Sequence, residues 1–114
     1  MDGRPRDPIW LGVELRHLAA LAAIAGEGSF RGAADELGYG QSSVSEQLAT
    51  LERVVGARLI ERSPGTHPLS LTPAGELLVR HAEDILARVA AARAELGRLI
   101  GESDESGRGG GGSP

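Results

Sequence analysis

The sequence predicts a mostly α-helical fold, with a three-helix core, a two-stranded wing and a long helix after them. Two observations support this. Helix start and stop signals alternate with apolar residues at helical spacing through the first half of the chain, and apolar residues recur every three or four positions after residue 73. A chain of 114 residues has room for one small domain.

The predicted organisation has four parts. A flexible leader covers residues 1–12, a winged helix-turn-helix covers 13–72, a long helix covers 73–100, and a disordered tail covers 101–114. The leader holds prolines among charges and the tail is rich in glycine, which disfavours packed structure in both. The first helix is predicted to end near Gly26, and its apolar residues are Leu15, Leu18, Leu21, Ala22 and Ala25.

A pair of short helices should follow. Ser29 can cap the first by accepting a free backbone N–H, and Gly38 can end it in the left-handed conformation. Tyr39 and Gly40 then make the turn. Small side chains on the apolar face allow a second helix to cross closely, and this face consists of Phe30, Ala33, Ala34 and Leu37.

The second helix of the pair is predicted over residues 41–54. Its apolar stripe is formed by Val44, Leu48, Leu51 and Val55. The opposite face carries small hydroxyls and an alanine where a solvated surface usually carries long charged side chains, so it suits close approach to a grooved surface. That face consists of Ser42, Ser45, Glu46, Ala49 and Arg53.

The segments 58–62 and 69–71 predict two short strands, joined by a turn-rich loop at 63–68. Thr72 and Pro73 then supply a capping hydroxyl and a proline at the first helical position. The long helix that follows has a coiled-coil seam, for which a second copy of the chain is the expected partner and packing on its own domain is the alternative. The seam consists of Leu78, Ala82, Ile85, Val89, Ala92, Leu96 and Leu99.

Composition excludes several classes of function. The chain has no cysteine, so it has no disulfide framework and no thiolate site. His17, His67 and His81 have neither a nucleophile elbow nor a histidine at four-residue spacing, so we expect no catalysis, no metal and no cofactor. No apolar run approaches the roughly 20 residues needed to cross a bilayer, so we expect no membrane association and a cytoplasmic location.

The charge balance is unusual for a protein that binds nucleic acid. The formal net charge is −4, and residues 27–72 hold six acidic residues and four arginines. A favourable distribution would turn Arg31, Arg53, Arg58 and Arg62 toward DNA. We therefore expect the chain to bind DNA weakly, with few phosphate contacts per chain, unless dimerisation doubles the number of contacts.

Most of the chain, about residues 14–99, resembles the amino-terminal winged helix-turn-helix domain of LysR-type transcriptional regulators. Each matching motif is weak alone, but the ordered series at fixed spacing is specific. A family member of the usual kind is more than twice as long, so we expect no effector domain and no small-molecule ligand here. The residues that carry the resemblance are Leu18, Leu21, Gly28, Ser29, Phe30, Ala33, Ala34, Leu37, Gln41, Val44, Ser45, Gln47, Leu51, Glu52, Gly56, Leu59, Arg62, Leu71, Thr72, Ala74 and Gly75.

The resemblance implies how the domain would bind double-stranded DNA. The helix beginning at Gln41 would enter the major groove, while the preceding helix and the wing would contact phosphates. Glu46 stands where members often carry a basic or amide residue, so repulsion is expected there. The implied DNA-contacting residues are Ser29, Arg31, Gln41, Ser42, Ser43, Ser45, Glu46, Arg53, Arg62, Thr66 and His67.

The predicted function is therefore a homodimeric transcriptional regulator of LysR type that reads inverted half-sites. The alternative is an interaction module that pairs with full-length LysR-type regulators and titrates them. The acidic helix-turn-helix domain would bind DNA poorly, and this would help the mixed dimer to withhold the regulator from DNA. A winged helix of the molybdate-regulator type is a related possibility within the DNA-binding class.

Overall fold

The structure is a computed structural model that describes residues 10–61 and 69–108, with side chains described as far as residue 101. It confirms the mostly α-helical winged helix-turn-helix fold. Four helices account for the described secondary structure apart from one antiparallel bridge, and their bounds are α1 Leu15–Glu27, α2 Phe30–Leu37, α3 Gln41–Val55 and α4 Pro73–Arg108.

The chain divides into two compact units. The first comprises residues 1–83 and the second comprises 84–114, so that α4 runs through the boundary as one continuous helix. Within the first unit, α1, α2 and α3 pack on one another in all three pairings. The largest fully buried side chains form the core between them, and these are Leu21, Ile24, Val44, Leu48, Leu51, Leu59 and Ile60.

The buried face of helix α1 differs from the predicted one and is wider. Leu15, expected to belong to the apolar face, is 47% exposed, whereas Ala20, Ala23 and Ile24 are buried. The reason is that both α2 and α3 pack against α1. At its start, the Glu14 backbone N–H donates to Nδ1 of the buried His17 at 2.9 Å, so this histidine helps to begin the helix.

Both predicted signals of α2 are confirmed. The Ser29 hydroxyl accepts the Gly32 backbone N–H at 2.9 Å, and Gly38 ends the helix with φ of 75°. Ala33 and Ala34 are almost completely buried, in agreement with a close crossing of helices at that point. The Gly38 and Tyr39 backbone N–H groups both donate to the Ala34 carbonyl and so close the turn.

The predicted two-stranded wing is reduced, in the described residues, to a single antiparallel bridge between Ile60 and Leu71. The Glu61 N–H donates to the Ser70 carbonyl at 2.8 Å, and the Thr72 N–H donates to the Leu59 carbonyl at 3.0 Å. Of the two predicted strands, the described residues 58–61 and 69–71 contain this one bridged pair. The loop at 62–68 lies outside the described residues.

Thr72 ties the bridge to the start of α4. Its hydroxyl accepts the Gly75 N–H at 2.9 Å, as the capping prediction requires, and donates to the Arg58 carbonyl at 2.7 Å. On the other side, Glu52 of α3 accepts the Leu59 N–H at 2.8 Å. The segment between α3 and α4 is thus fixed from both helices.

Two expectations for the last helix need correction. Ala82 is fully buried and Leu78 is half-buried within the single chain, so the core of the first unit already uses the start of the predicted dimer seam. The helix also continues to Arg108, although a disordered tail was expected from residue 101. A long helix extends readily because each further residue adds one hydrogen bond without a new nucleation step. Residues 109–114 lie outside the described part.

Candidate nucleic-acid interface

The two faces of α3 separate as predicted. Val44, Leu48 and Leu51 are buried against α1 and α2, whereas Val55, the last residue of the predicted stripe, is half-buried. The opposite face is exposed, and between its start and its last turn it presents few bulky side chains. The exposed residues are Gln41, Ser42, Ser45, Glu46, Ala49 and Arg53, whereas the predicted contact Ser43 is half-buried. A helix with this face can approach a flat or grooved partner closely.

The amino-terminal end of α3 is the electropositive end of the helix. Its N-cap residue, Gly40, is extended and provides no side-chain hydrogen bond, and the first turn contains no acidic residue. Gln41 and Ser42 are both exposed there. The first backbone N–H groups of α3 therefore lie beside exposed polar side chains.

Ser29 and Arg31 lie at the start of α2 and differ in burial and in hydrogen bonding. Ser29 is half-buried and its hydroxyl is engaged in the helix cap, so its observed contribution is structural. The Arg31 side chain is exposed. A cation at this position can reach an anionic partner without disturbing the core.

Arg53 lies three turns along α3 from Gln41. It is exposed, and its Nη2 donates to the Thr50 hydroxyl at 3.3 Å, which directs the guanidinium along the helix. Arg62, Thr66 and His67, the remaining predicted contacts, lie outside the described residues.

A groove of about 350 Å³ runs along one side of α3, between that helix and the start of α1. Within it, Arg16 Nε donates to Glu14 Oε1 at 2.6 Å, and both side chains are about half exposed. Arg16 was not among the predicted contacts, because nothing in local spacing shows that it lies beside Glu46 of α3. The groove is lined by Gly12, Glu14, Arg16, His17, Glu46, Gln47 and Thr50.

Other kinds of site find no support in the part of the chain that the structure describes. It contains no group of three histidine or acidic side chains placed to hold a metal ion. Among the same residues, no helix is both long enough and apolar enough to span a bilayer.

Comparison with known proteins identifies the family. The model of the bacterial regulatory helix-turn-helix protein, lysR family, matches residues 15–76, which is more than half of the chain. A probable hydrogen peroxide-inducible genes activator from Mycobacterium xenopi is 47% identical over 75 residues, covering 66% of this chain and 39% of that protein. The HTH-type transcriptional regulator BenM of Acinetobacter baylyi is 39% identical over 77 residues, covering 68% of this chain and 25% of that protein.

The fold is also similar to that of a DNA-bound domain. The crystal structure of the BenM DNA-binding domain with catB site 1 DNA matches 76% of this chain and 96% of that chain, with a TM-score of 0.71 and 36% identity. This chain therefore spans well under half the length of the curated relatives but nearly all of the BenM domain. These relatives are transcriptional regulators and not enzymes, in agreement with the prediction against catalysis. The chain belongs to the lysR family of bacterial regulatory helix-turn-helix proteins.

Proposed function

We propose that the chain binds double-stranded DNA sequence-specifically as a homodimer, reads inverted half-sites and regulates transcription in the cytoplasm. The observation that carries the proposal is the outward face of α3, which is exposed and polar and has short side chains at residues 42, 45 and 49. The similarity of the fold to a domain crystallised with DNA supports it.

In this proposal α3 lies in the major groove with its amino-terminal half toward the bases. Gln41, Ser42, Ser45 and Glu46 then lie nearest the base edges, with Ser43 beside them. Phosphate contacts come from the start of α2, from the carboxy-terminal half of α3 and from the wing. The proposed phosphate and minor-groove residues are Arg31, Arg53, Arg62, Thr66, His67 and the Ser29 backbone.

The proposed dimer forms through the part of α4 in the second unit. Ile85, Val89, Leu96 and Leu99 are between 41% and 62% exposed in the single chain, and burying such a stripe removes apolar surface from water. The 3-4 spacing is that of a coiled-coil seam. The seam residues in this unit are Ile85, Val89, Ala92, Leu96 and Leu99.

Fluorescence anisotropy with random-sequence duplexes at two salt concentrations, combined with light scattering, tests the proposal. A dimer whose affinity falls steeply as salt rises supports it, because each neutralised phosphate contributes about −0.9 to the slope of log K against log salt. A dimer that does not bind even at low salt contradicts it.

The second candidate is the interaction module that titrates full-length LysR-type regulators. The net charge of −4, with Glu46 on the outward face of α3, favours it because both oppose binding to phosphates. Mixing with a full-length relative distinguishes the two candidates. A titrating module forms a mixed dimer and lowers the relative's DNA binding, whereas an independent regulator binds duplexes by itself.

A further inference from the structure

We propose that Glu46 determines base specificity and that each half-site carries a cytosine at the base pair that this carboxylate reaches. The inference rests on the proposed function, because it requires α3 to lie in the major groove. It goes further in naming the base and the residue that selects it.

The position of Glu46 suits it to contact a base edge. It is exposed, one turn after Ser42, on the face of α3 opposite the buried Val44 and Leu48. The exposed side chains around it on that face, at residues 42, 45 and 49, end at a hydroxymethyl or a methyl group. These short side chains would allow α3 to approach the floor of the DNA major groove. Among residues 42, 45, 46 and 49, Glu46 has the longest side chain, so its carboxylate would reach furthest toward the bases.

The charge of Glu46 is available to such a contact. In the groove beside α3, the guanidinium of Arg16 is engaged by Glu14 through the 2.6 Å hydrogen bond. Among residues 10–61 and 69–101, Glu46 itself makes no ion pair and its side chain makes no hydrogen bond. Glu14 and Arg16 thus offset each other, and within the described residues neither is paired with Glu46.

Base chemistry then restricts the possible partners. An ionised carboxylate only accepts hydrogen bonds, and in the major groove guanine presents two acceptors while thymine presents an acceptor and a methyl group. Adenine offers its N6 amine beside the N7 acceptor, which repels the carboxylate. Cytosine offers its N4 amine beside a C–H group, so its own major-groove edge carries no acceptor. The pair that Glu46 favours is therefore the one with cytosine.

A carboxylate in this place has opposite effects on specific and non-specific binding. It repels the phosphates of every sequence, and the contact with the N4 amine offsets that repulsion only where cytosine is present. Glu46 thereby weakens binding to non-cognate DNA while leaving the cognate site favourable. Removing its charge should raise affinity for random DNA and lower discrimination.

Selection from a random duplex library tests the proposal with the full chain and three variants, E46Q, E46R and E83Q. Glu83 is an exposed acidic residue of α4, so E83Q makes the same change of charge away from α3. We expect the unchanged chain to select inverted half-sites with cytosine at one position, preferred about tenfold. E46Q should lose that preference at this position alone, E46R should replace it with guanine, and E83Q should leave the motif unchanged.

Other outcomes overturn the inference in distinguishable ways. A motif that is identical for the unchanged chain, E46Q and E46R shows that Glu46 reads no base. A position that responds to the variants but carries an A·T pair in the original motif shows that the assigned chemistry is wrong. If the unchanged chain selects no motif while remaining folded by circular dichroism, the proposed sequence-specific function fails, and the inference fails with it.

Discussion

At the scale of single residues, two glycines of α4 differ in whether their surroundings leave room for a side chain. A Cβ at Gly75 would lie 2.0 Å from the Leu59 carbonyl oxygen, whereas a Cβ at Gly97 would meet nothing within 4 Å. Gly75 is therefore needed for a close approach between the start of α4 and the backbone beside the bridge. Gly97 lies in the middle of the helix without such a constraint.

We expect Gly75→Ala to lower the free energy of unfolding by about 2 kcal/mol or more, because backbone atoms at both sides of the contact would have to move. Urea unfolding followed by circular dichroism measures this change. Gly97→Ala is the matched control in the same helix and should stabilise α4 by about 0.5–1 kcal/mol. Equal effects of the two substitutions would contradict the close approach.

Arg31 is the exposed cation at the start of α2 that the proposal places against a phosphate. Arg31→Ala should weaken binding to all sequences alike and reduce the slope of log K against log salt by about 1. Anisotropy titrations at several salt concentrations measure both. Arg98→Ala, an equal change of charge in the second unit, should leave the slope nearly unchanged. A loss confined to one sequence would indicate that Arg31 reads a base.

At the scale of secondary structure, capping explains why a helix as short as α2 forms at all. An isolated helix of this length is unstable in water, so it depends on its ends and on packing. Ser29 satisfies one N–H of its first turn, and the left-handed Gly38 places its own N–H on the Ala34 carbonyl at 2.9 Å. The first helix of the helix-turn-helix is thus held at both termini.

Ser29→Ala should lower the stability of the chain by about 1 kcal/mol through loss of the cap. The measurement is the shift of the thermal unfolding midpoint. Ser45→Ala is the control, because Ser45 is exposed within α3 and alanine is the better helix former. If Ser29→Ala leaves stability unchanged, the observed cap contributes little, and any effect of that substitution on DNA affinity would have another cause.

At the scale of the whole molecule, the second unit carries exposed apolar side chains that the proposed dimer would cover. Val89, Leu96 and Leu99 are exposed on the part of α4 that lies in the second unit. In the proposed dimer, these side chains would stabilise the pair because their apolar surface would leave water. A second copy of the chain offers the same stripe in the same register.

We expect Leu96→Glu to convert the proposed dimer to a monomer, because it would place two carboxylates in the apolar seam. Light scattering over a range of concentrations measures the change, and affinity for inverted half-sites should fall at least about tenfold as two linked contacts become one. Ala91→Glu is the control, since it adds the same charge to an exposed position outside the seam. Unchanged mass for Leu96→Glu would refute this seam as the dimer interface.

Much of the helix-turn-helix could be predicted from the sequence because its signals are local. The Ser29 cap, the left-handed Gly38 and the four-three-four stripe of α3 each depend on residues within a few positions of one another. The wing was predicted less well, since pairing across a loop needs geometry that composition does not specify. Of two expected strands, only the Ile60–Leu71 bridge is present in the described residues.

The sequence alone determined where the two helices of the helix-turn-helix begin and end, which face of α3 is polar, and the family to which the chain belongs. Periodicity and capping are short-range properties, so they can be read without a structure. Only the tertiary structure decided that Ala82 belongs to the core and not to the seam, that Gly75 meets the Leu59 carbonyl, and that Glu46 shares a groove with Arg16. Each of these depends on segments distant in sequence that pack together, and spacing along one helix carries no information about what packs against it.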